Sequence, residues 1–384
     1  MSAKEVLAKL VSFSVLGGES NLSIINWIKE YIESYNVNTT MVYNVERNKS
    51  SLHCRIGPAI DGGVILSGHT DVVPVKGQNW DTDPFELVDK NDGKLYARGA
   101  CDMKGYLACF LSQLPNMVNT KLKKPIYFAL SYDEEIGCLA APELIQHIKD
   151  TYIEKPQFAI IGEPSMMIPI VGHKGICVLK TSVNGSAGHS SRIRQEVSAI
   201  HESARLILWL ENKMNNFIEE GSLDTRFTPP HTTIHIGQFF GGIAPNIIAD
   251  SASFYWDVRV IPQDDIQLIR REFDMYCAQR ETILRKIYPD FEIVTVEDHP
   301  NVPPLDTVES SDIVTLIKRL SGISKTETVA YAAEAGQFSN GGFDTIICGP
   351  GSIAQAHRAN EYIEIEQLNK GVEMIQKLIL EMSK

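Results

Sequence analysis

Val64-Ile65-Leu66-Ser67-Gly68-His69-Thr70-Asp71 is an apolar run that ends in an imidazole and, two residues on, a carboxylate. Such a run reads as a strand of an α/β sheet with helices on both faces. In open α/β sheets functional groups gather at the carboxyl ends of the strands, and His69 and Asp71 fall there. Two further strands, expected at 125–131 and 157–161, place Glu134, Glu135 and Glu163 in the same way. Asp102 stands just before a helix that starts near Lys104, and His357 near the C-terminus adds another potential ligand.

Each cluster alone has two readings. His69 can bind a metal while Asp71 holds its second ring N–H and fixes the tautomer; the same tripeptide suits a solvated turn. In Glu134-Glu135 one carboxylate can ligate a metal while the other acts as general base on water. Acids are also common in the first turn of a helix, and Asp102 could simply cap one. Taken jointly, Asp71, Asp102, Glu134, Glu135 and Glu163 would repel each other at one sheet edge without a counter-ion. Carboxylates with imidazole and no thiolate suit zinc, cobalt or manganese, and two imidazoles argue against calcium.

The 384 residues exceed what one hydrophobic core usually organises, so two domains are expected. Ser2 and Glu5 have capping-box spacing at the first helix, and Asn21 could cap a second whose stripe is Ile25, Ile28 and Ile32. Asn91-Asp92-Gly93 reads as a hairpin turn. The character changes near Gly175 to a β-α-β-β-α-β order that resembles a ferredoxin-like module inserted into the first domain. The expected division is 1–176 with 292–384 for the metal-binding domain, and 177–291 for the insertion.

A formal net charge of −12 argues against nucleic acid or an anionic membrane as partner. No stretch approaches about 18 uninterrupted apolar residues, so no membrane span is expected. Residues 2–12 read as a capped helix rather than a signal peptide, and the seven scattered cysteines lack a C-x-x-C pair. Both fit a cytoplasmic protein. There is no Walker loop and no G-x-S-x-G elbow. Gly349-Pro350-Gly351-Ser352-Ile353-Ala354 matches a loose dinucleotide pattern, but too little chain follows to complete a βαβ unit.

With these clusters in order, the chain resembles the di-zinc amidohydrolase family of aminoacylases, carboxypeptidases and deacylases along essentially its whole length. The marks are Ser67–Asp71, Ala97–Gly105, Ser131–Glu135, Ile161–Ser165, Gly188–Ser191 and Gly349–Glu361. Cys-Asp-Met-Lys-Gly, Ile-Gly-Glu-Pro-Ser and Gly-Pro-Gly-Ser-Ile-x-Gln-Ala-His look most like its bacterial acetylornithine deacetylase branch. The resemblance implies an α/β fold of two domains: a di-zinc catalytic domain with a mixed sheet between helices, and an inserted ferredoxin-like α+β lid and dimerisation domain.

It also implies roles. Asp102 would bridge two zinc ions, for which cobalt can substitute. His69 and Glu163 would complete one shell, Glu135 and His357 the other. Glu134 would be the base, Asp71 would orient His69, and the peptide after Asp102 would be cis. His189 would donate to the oxyanion from a partner subunit, which implies a homodimer through the inserted domain. Asn246 and Arg259 would bind substrate, Arg259 through an α-carboxylate, and Glu334 would receive the cationic side chain of an ornithine-like substrate. The implied reaction is hydrolysis of N2-acetyl-L-ornithine to L-ornithine and acetate in arginine synthesis. Desuccinylation of N-succinyl-diaminopimelate and a broader N-acyl-amino-acid hydrolase are the alternatives, with a non-catalytic metal-binding protein as the one outside catalysis.

Overall fold

The computed structural model describes residues 1–384, and the chain divides into two compact units. The first comprises Met1–His173, Leu305–Thr328 and Ala333–Lys384; the second comprises Lys174–Pro304 with Val329–Ala332.

The first unit is built on a mixed sheet. Its strands run in the order Thr39–Tyr43, Ser50–Ile56, Ile126–Ser131, Val64–His69, Phe158–Pro164, Asp344–Gly349, Ile170–His173 and Leu305–Asp306. Val64–His69 pairs in parallel with Ile126–Ser131 and Phe158–Pro164, and Phe158–Pro164 with Asp344–Gly349. The strands outside these are antiparallel. Every residue of Val64–His69 and of Ile126–Ser131 is buried, which is why these segments read as unbroken apolar runs. Because the central strands share one direction, their carboxyl ends open on one edge, and the candidate residues collect there.

Helix Lys104–Ser112 is buried at every position. It packs between Ala3–Val11 and the last helix, Ile365–Met382. The first helix has the expected capping box: the Glu5 N–H donates to Ser2 Oγ at 3.3 Å, and the Ser2 N–H to Glu5 Oε2 at 2.7 Å. Asn21 departs from expectation. It precedes helix Leu22–Glu33 but makes no side-chain cap. Its amide instead donates to Ser50 O and Thr70 Oγ1 and accepts the Ser50 N–H, all within 3.1 Å. A fully buried amide must satisfy its own polar atoms, and the sheet end offers three partners at once.

The second unit has a four-stranded antiparallel sheet in the order Thr233–Gly241, Ser251–Val260, Gly175–Asn184, Glu292–Glu297. With helices Ala199–Glu219 and Ile266–Leu284 between strands, this is the expected ferredoxin-like order. Alternate residues point inward, so Phe254, Trp256 and Val258 join Phe273 in one core. Trp256 meets Phe273 edge-on with ring centroids 5.0 Å apart, and its indole N–H donates to Thr181 Oγ1 at 3.0 Å. The boundary expected after residue 291 falls instead after Pro304. The strand Glu292–Glu297 is an edge of this sheet, hydrogen-bonded to Gly175–Asn184, and cannot belong to the other unit.

Candidate metal centre

His69 ends its strand fully buried, with Nδ1 2.9 Å from the main-chain oxygen of Asp71 and 3.6 Å from Asp71 Oδ1. A carbonyl oxygen can only accept, so Nδ1 carries a hydrogen and Nε2 is the nitrogen turned towards the acids. Asp71 therefore orients His69 chiefly through its backbone rather than its carboxylate. The carboxylate does other work: Oδ1 accepts the Glu134 N–H at 3.3 Å and Oδ2 the Glu135 N–H at 3.2 Å. It fixes the turn that carries both acids.

Nε2 of His69 faces three carboxylates: Asp102 Oδ1 at 3.3 Å, Glu163 Oε1 at 3.8 Å and Glu134 Oε2 at 3.9 Å. The other oxygen of Asp102 lies 3.4 Å from His357 Nε2, which is 3.0 Å from Glu135 Oε2. Asp102 thus reaches one imidazole with each oxygen. The peptide bond Asp102–Met103 is cis. Glu163 comes from within Phe158–Pro164, and Gly162 beside it admits the Tyr106 ring so closely that a Cβ would stand 1.9 Å from it. All five expected ligands and Glu134 therefore converge. Two sets, His69–Asp102–Glu135 and His69–Glu134–Glu163, each bring three donor atoms within 4.8 Å of one another.

The electrostatics are those of a crowded acid cluster. Burial, then the neighbouring carboxylates, push the carboxyl groups of Glu134 and Glu163 well above their usual range, His69 opposing. Burial works against charge on Asp102, yet His357 and His69 hold its carboxyl low. Burial opposes charge on His69 too, but Asp102 and Asp71 raise it well above its ordinary value. Glu135 Oε1 and Glu163 Oε1 are buried with no hydrogen-bond partner. Buried acceptors of this kind cost free energy unless something satisfies them, and a cation at these donors would relieve both the repulsion and the orphaned oxygens. Imidazole nitrogen and carboxylate oxygen without thiolate fit a divalent metal of the zinc, cobalt or manganese type.

Several neighbours were not singled out from the sequence. Asp133, at φ +55° beside the two acids, accepts from Lys49 Nζ and from the Gly18 N–H. Cys138 places its Sγ 3.3 Å from Glu134 Oε1. Arg98 and Glu361 form a buried ion pair at 2.6 Å. Asp133, Arg98 and Glu361 all lie inside the quoted motifs, but their partners are far away in the chain, so no local spacing marks them.

Glu334, also in the first unit, is buried at the start of helix Ala335–Asn340, and its Oε1 has no partner. Burial raises its carboxyl to about 7. The remaining candidates lie in the second unit. His189 is exposed, and its Nδ1 lies 2.8 Å from Ser191 Oγ. The exposed Asn246 is beside it: its carbonyl accepts the Ser190 N–H at 3.0 Å. Arg259 is 39% exposed and pairs with Asp257 at 3.5 Å.

A family model described as peptidase family M20/M25/M40 matches residues 65–381. The chain belongs to this family. As an M20 member it is a metal-dependent hydrolase acting on small molecules. Its sequence is 32% identical to an acetylornithine deacetylase of Shigella sonnei over 366 residues, 94% of this chain and 91% of that protein. An acetylornithine deacetylase of Aliivibrio salmonicida is 29% identical across 98% of this chain and 97% of its own length. An M20 family metallo-carboxypeptidase from Sulfolobus solfataricus shares the two-unit fold at a TM-score of 0.79, with 17% identity and 100% and 99% of the two chains covered. The mixed sheet and the two-domain make-up are thus those of the M20 fold. No helix is long and apolar enough to cross a membrane.

Proposed function

We propose that this M20 hydrolase cleaves the amide bond of N2-acetyl-L-ornithine, releasing L-ornithine and acetate, with two zinc ions that cobalt can replace. The observation that carries the reading is Asp102, whose two oxygens each face a different imidazole while Glu134 stands beside one of them. Asp102 would be shared, His69 and Glu163 would hold one ion, and Glu135 and His357 the other. When bound, the ions supply a polarised amide carbonyl and a more acidic water.

The chain's own groups do the rest. Glu134 takes a proton from the attacking water, whose oxygen bonds to the carbonyl carbon. It returns that proton to the amine nitrogen as the C–N bond breaks. Its Oε2 stands 3.9 Å from His69 Nε2, inside the acid cluster, which places it for this exchange. His189 donates to the developing oxyanion. Arg259 grips the α-carboxylate, helped by Asn246. Glu334, buried with an unpartnered oxygen, receives the side-chain ammonium. The likeness to two acetylornithine deacetylases over nearly the whole chain supports this substrate, and the second unit is proposed to form the contact of a cytoplasmic homodimer.

The test is hydrolysis of N2-acetyl-L-ornithine against N-succinyl-diaminopimelate, after reconstituting apo protein with about two equivalents of zinc or cobalt. Strong preference for the acetyl compound, lost in Glu134→Ala, is expected. Preference for the succinyl compound would retain the mechanism and discard the substrate. Turnover of neither would discard both substrates and with them the role of Glu334.

A further inference from the structure

His357 reaches Glu135 and Asp102 from a segment with no regular structure, between the turn Ile353–Gln355 and the strand Tyr362–Glu364. Its φ is +61° and its side chain is 56% exposed, so neither helix, strand nor core packing fixes it. A polar chain does. Gln78 Nε2 donates to the His357 main-chain oxygen at 2.9 Å. Arg98 Nη2 donates to Gln78 Oε1 at 2.6 Å, and Trp80 Nε1 donates to the same oxygen at 3.1 Å. Arg98 Nη1 donates to Glu361 Oε2 at 2.6 Å and to Arg358 O at 3.3 Å. Glu361 Oε1 then accepts the N–H groups of Cys101 and Asp102 at 2.9 and 3.1 Å.

Two groups on either side of the centre are thereby joined through one guanidinium. On one side hangs the backbone of Asp102, on the other the backbone of His357. Arg98 and Glu361 are each 1% exposed, and the Arg98 plane lies 5.2 Å from the Trp80 ring. A buried ion pair is a poor way to gain stability against an apolar pair of the same volume. It is a good way to fix geometry, because a planar fork meets several acceptors at set angles. We infer that Arg98, with Glu361 and Gln78, is a positioning relay that fixes His357 against Asp102 and so sets the affinity of the Asp102–Glu135–His357 subsite for its cation. The inference rests on the two-metal reading above. The His69–Glu163 side is held differently, by strand ends and the Asp71 carbonyl, so Gln78, which touches only the His357 side, acts on one subsite, while Arg98 and Glu361 also reach the shared Asp102.

The probe is Co2+ alone, titrated into the full-length apo protein and followed by its d–d absorption and by calorimetry. Wild type is compared with Gln78→Ala, Arg98→Lys and His357→Ala. Two equivalents are expected for wild type. Gln78→Ala should weaken one equivalent by about 10-fold or more, and leave the other within about twofold, as expected of partners behind a ligand. Gln78 is only half-buried, but its loss also frees a donor of the buried Arg98, so the thermal midpoint of the apo variant should fall only slightly. Arg98→Lys should weaken the same equivalent further. His357→Ala should abolish it, and adding Gln78→Ala to that variant should change nothing more. Unchanged affinities in folded Gln78→Ala and Arg98→Lys would overturn the relay. So would parallel weakening of both equivalents in Gln78→Ala with a strongly lowered midpoint, which is general loosening. Wild type binding fewer than two equivalents would instead overturn the two-metal reading, and the relay with it.

Discussion

The two units treat their polar candidates in opposite ways. In the first, carboxylates from four separate segments gather around a buried imidazole, His69, and a half-exposed one, His357, and two of the carboxylate oxygens have no partner. In the second, His189, Asn246 and Arg259 lie at or near the surface and find partners close by, in Ser191, Ser190 and Asp257. Burial is what separates them. Exposed polar groups cost little and reveal little, whereas buried like charges are tolerated only where something compensates them. The first cluster announces a cation; the second unit's residues are surface groups whose purpose depends on what approaches them.

The largest expected effect falls on the base. Glu134→Ala should lower kcat by about 10²–10⁴-fold, the range for general acid–base groups, with two metal equivalents still bound by calorimetry. Retained turnover would place the base elsewhere and remove the distinction between the buried cluster and the surface groups. Next is Lys49→Met, which strands Asp133 buried and unpaired. Denaturant unfolding should show a loss of about 3–5 kcal/mol. A neutral result would mean the acid turn needs no cationic clamp.

Chelation tests the cluster as a whole. Metal at about 100-fold above its Kd should add about 2.7 kcal/mol of stability per site, read as a higher thermal midpoint that falls on removal and returns with zinc. No shift would make the buried repulsion tolerable without a cation. His53 offers a buried polar group of the first unit that needs none: its ring bonds to Tyr152 and His147 at 2.9 Å each. Burial, then His147, lowers its pKa to about 4. The neutral form is the one folded, so its contribution is complete above the unfolded value of about 6.5 and lost as pH falls towards 4. The advantage of wild type over His53→Gln in urea should shrink by about 2–3 kcal/mol between about pH 7.5 and pH 4. Smallest in stability is His189→Ala, expected within about 0.5 kcal/mol of wild type. A fall in kcat at unchanged stability would show that His189 acts in the reaction, whereas unchanged kcat would leave it a surface feature.

Much of the centre was legible because strand ends and motif acids obey rules of short range. An apolar run followed by His-x-Asp names its own position, and so does an acid pair after the next parallel strand. Asn21 shows the limit. Its place before a helix predicts a cap, but the sheet end of Ser50 and Thr70 outbid the helix for its amide. The boundary at Pro304 shows another, since a strand's affiliation depends on which edge it pairs with.

The sequence by itself determined the alternation of elements and which of His69, Asp71, Glu134, Glu135 and Glu163 follow strand ends, because periodicity and turn chemistry are local; His357 had no such local mark. Only the tertiary structure decided that Asp71 orients His69 through its carbonyl and spends its carboxylate on Glu134 and Glu135. It alone joined Arg98 to Glu361 and Lys49 to Asp133. The reason is that hydrogen bonds and ion pairs are satisfied by whichever groups folding brings within about 3 Å, and chain distance does not enter that choice.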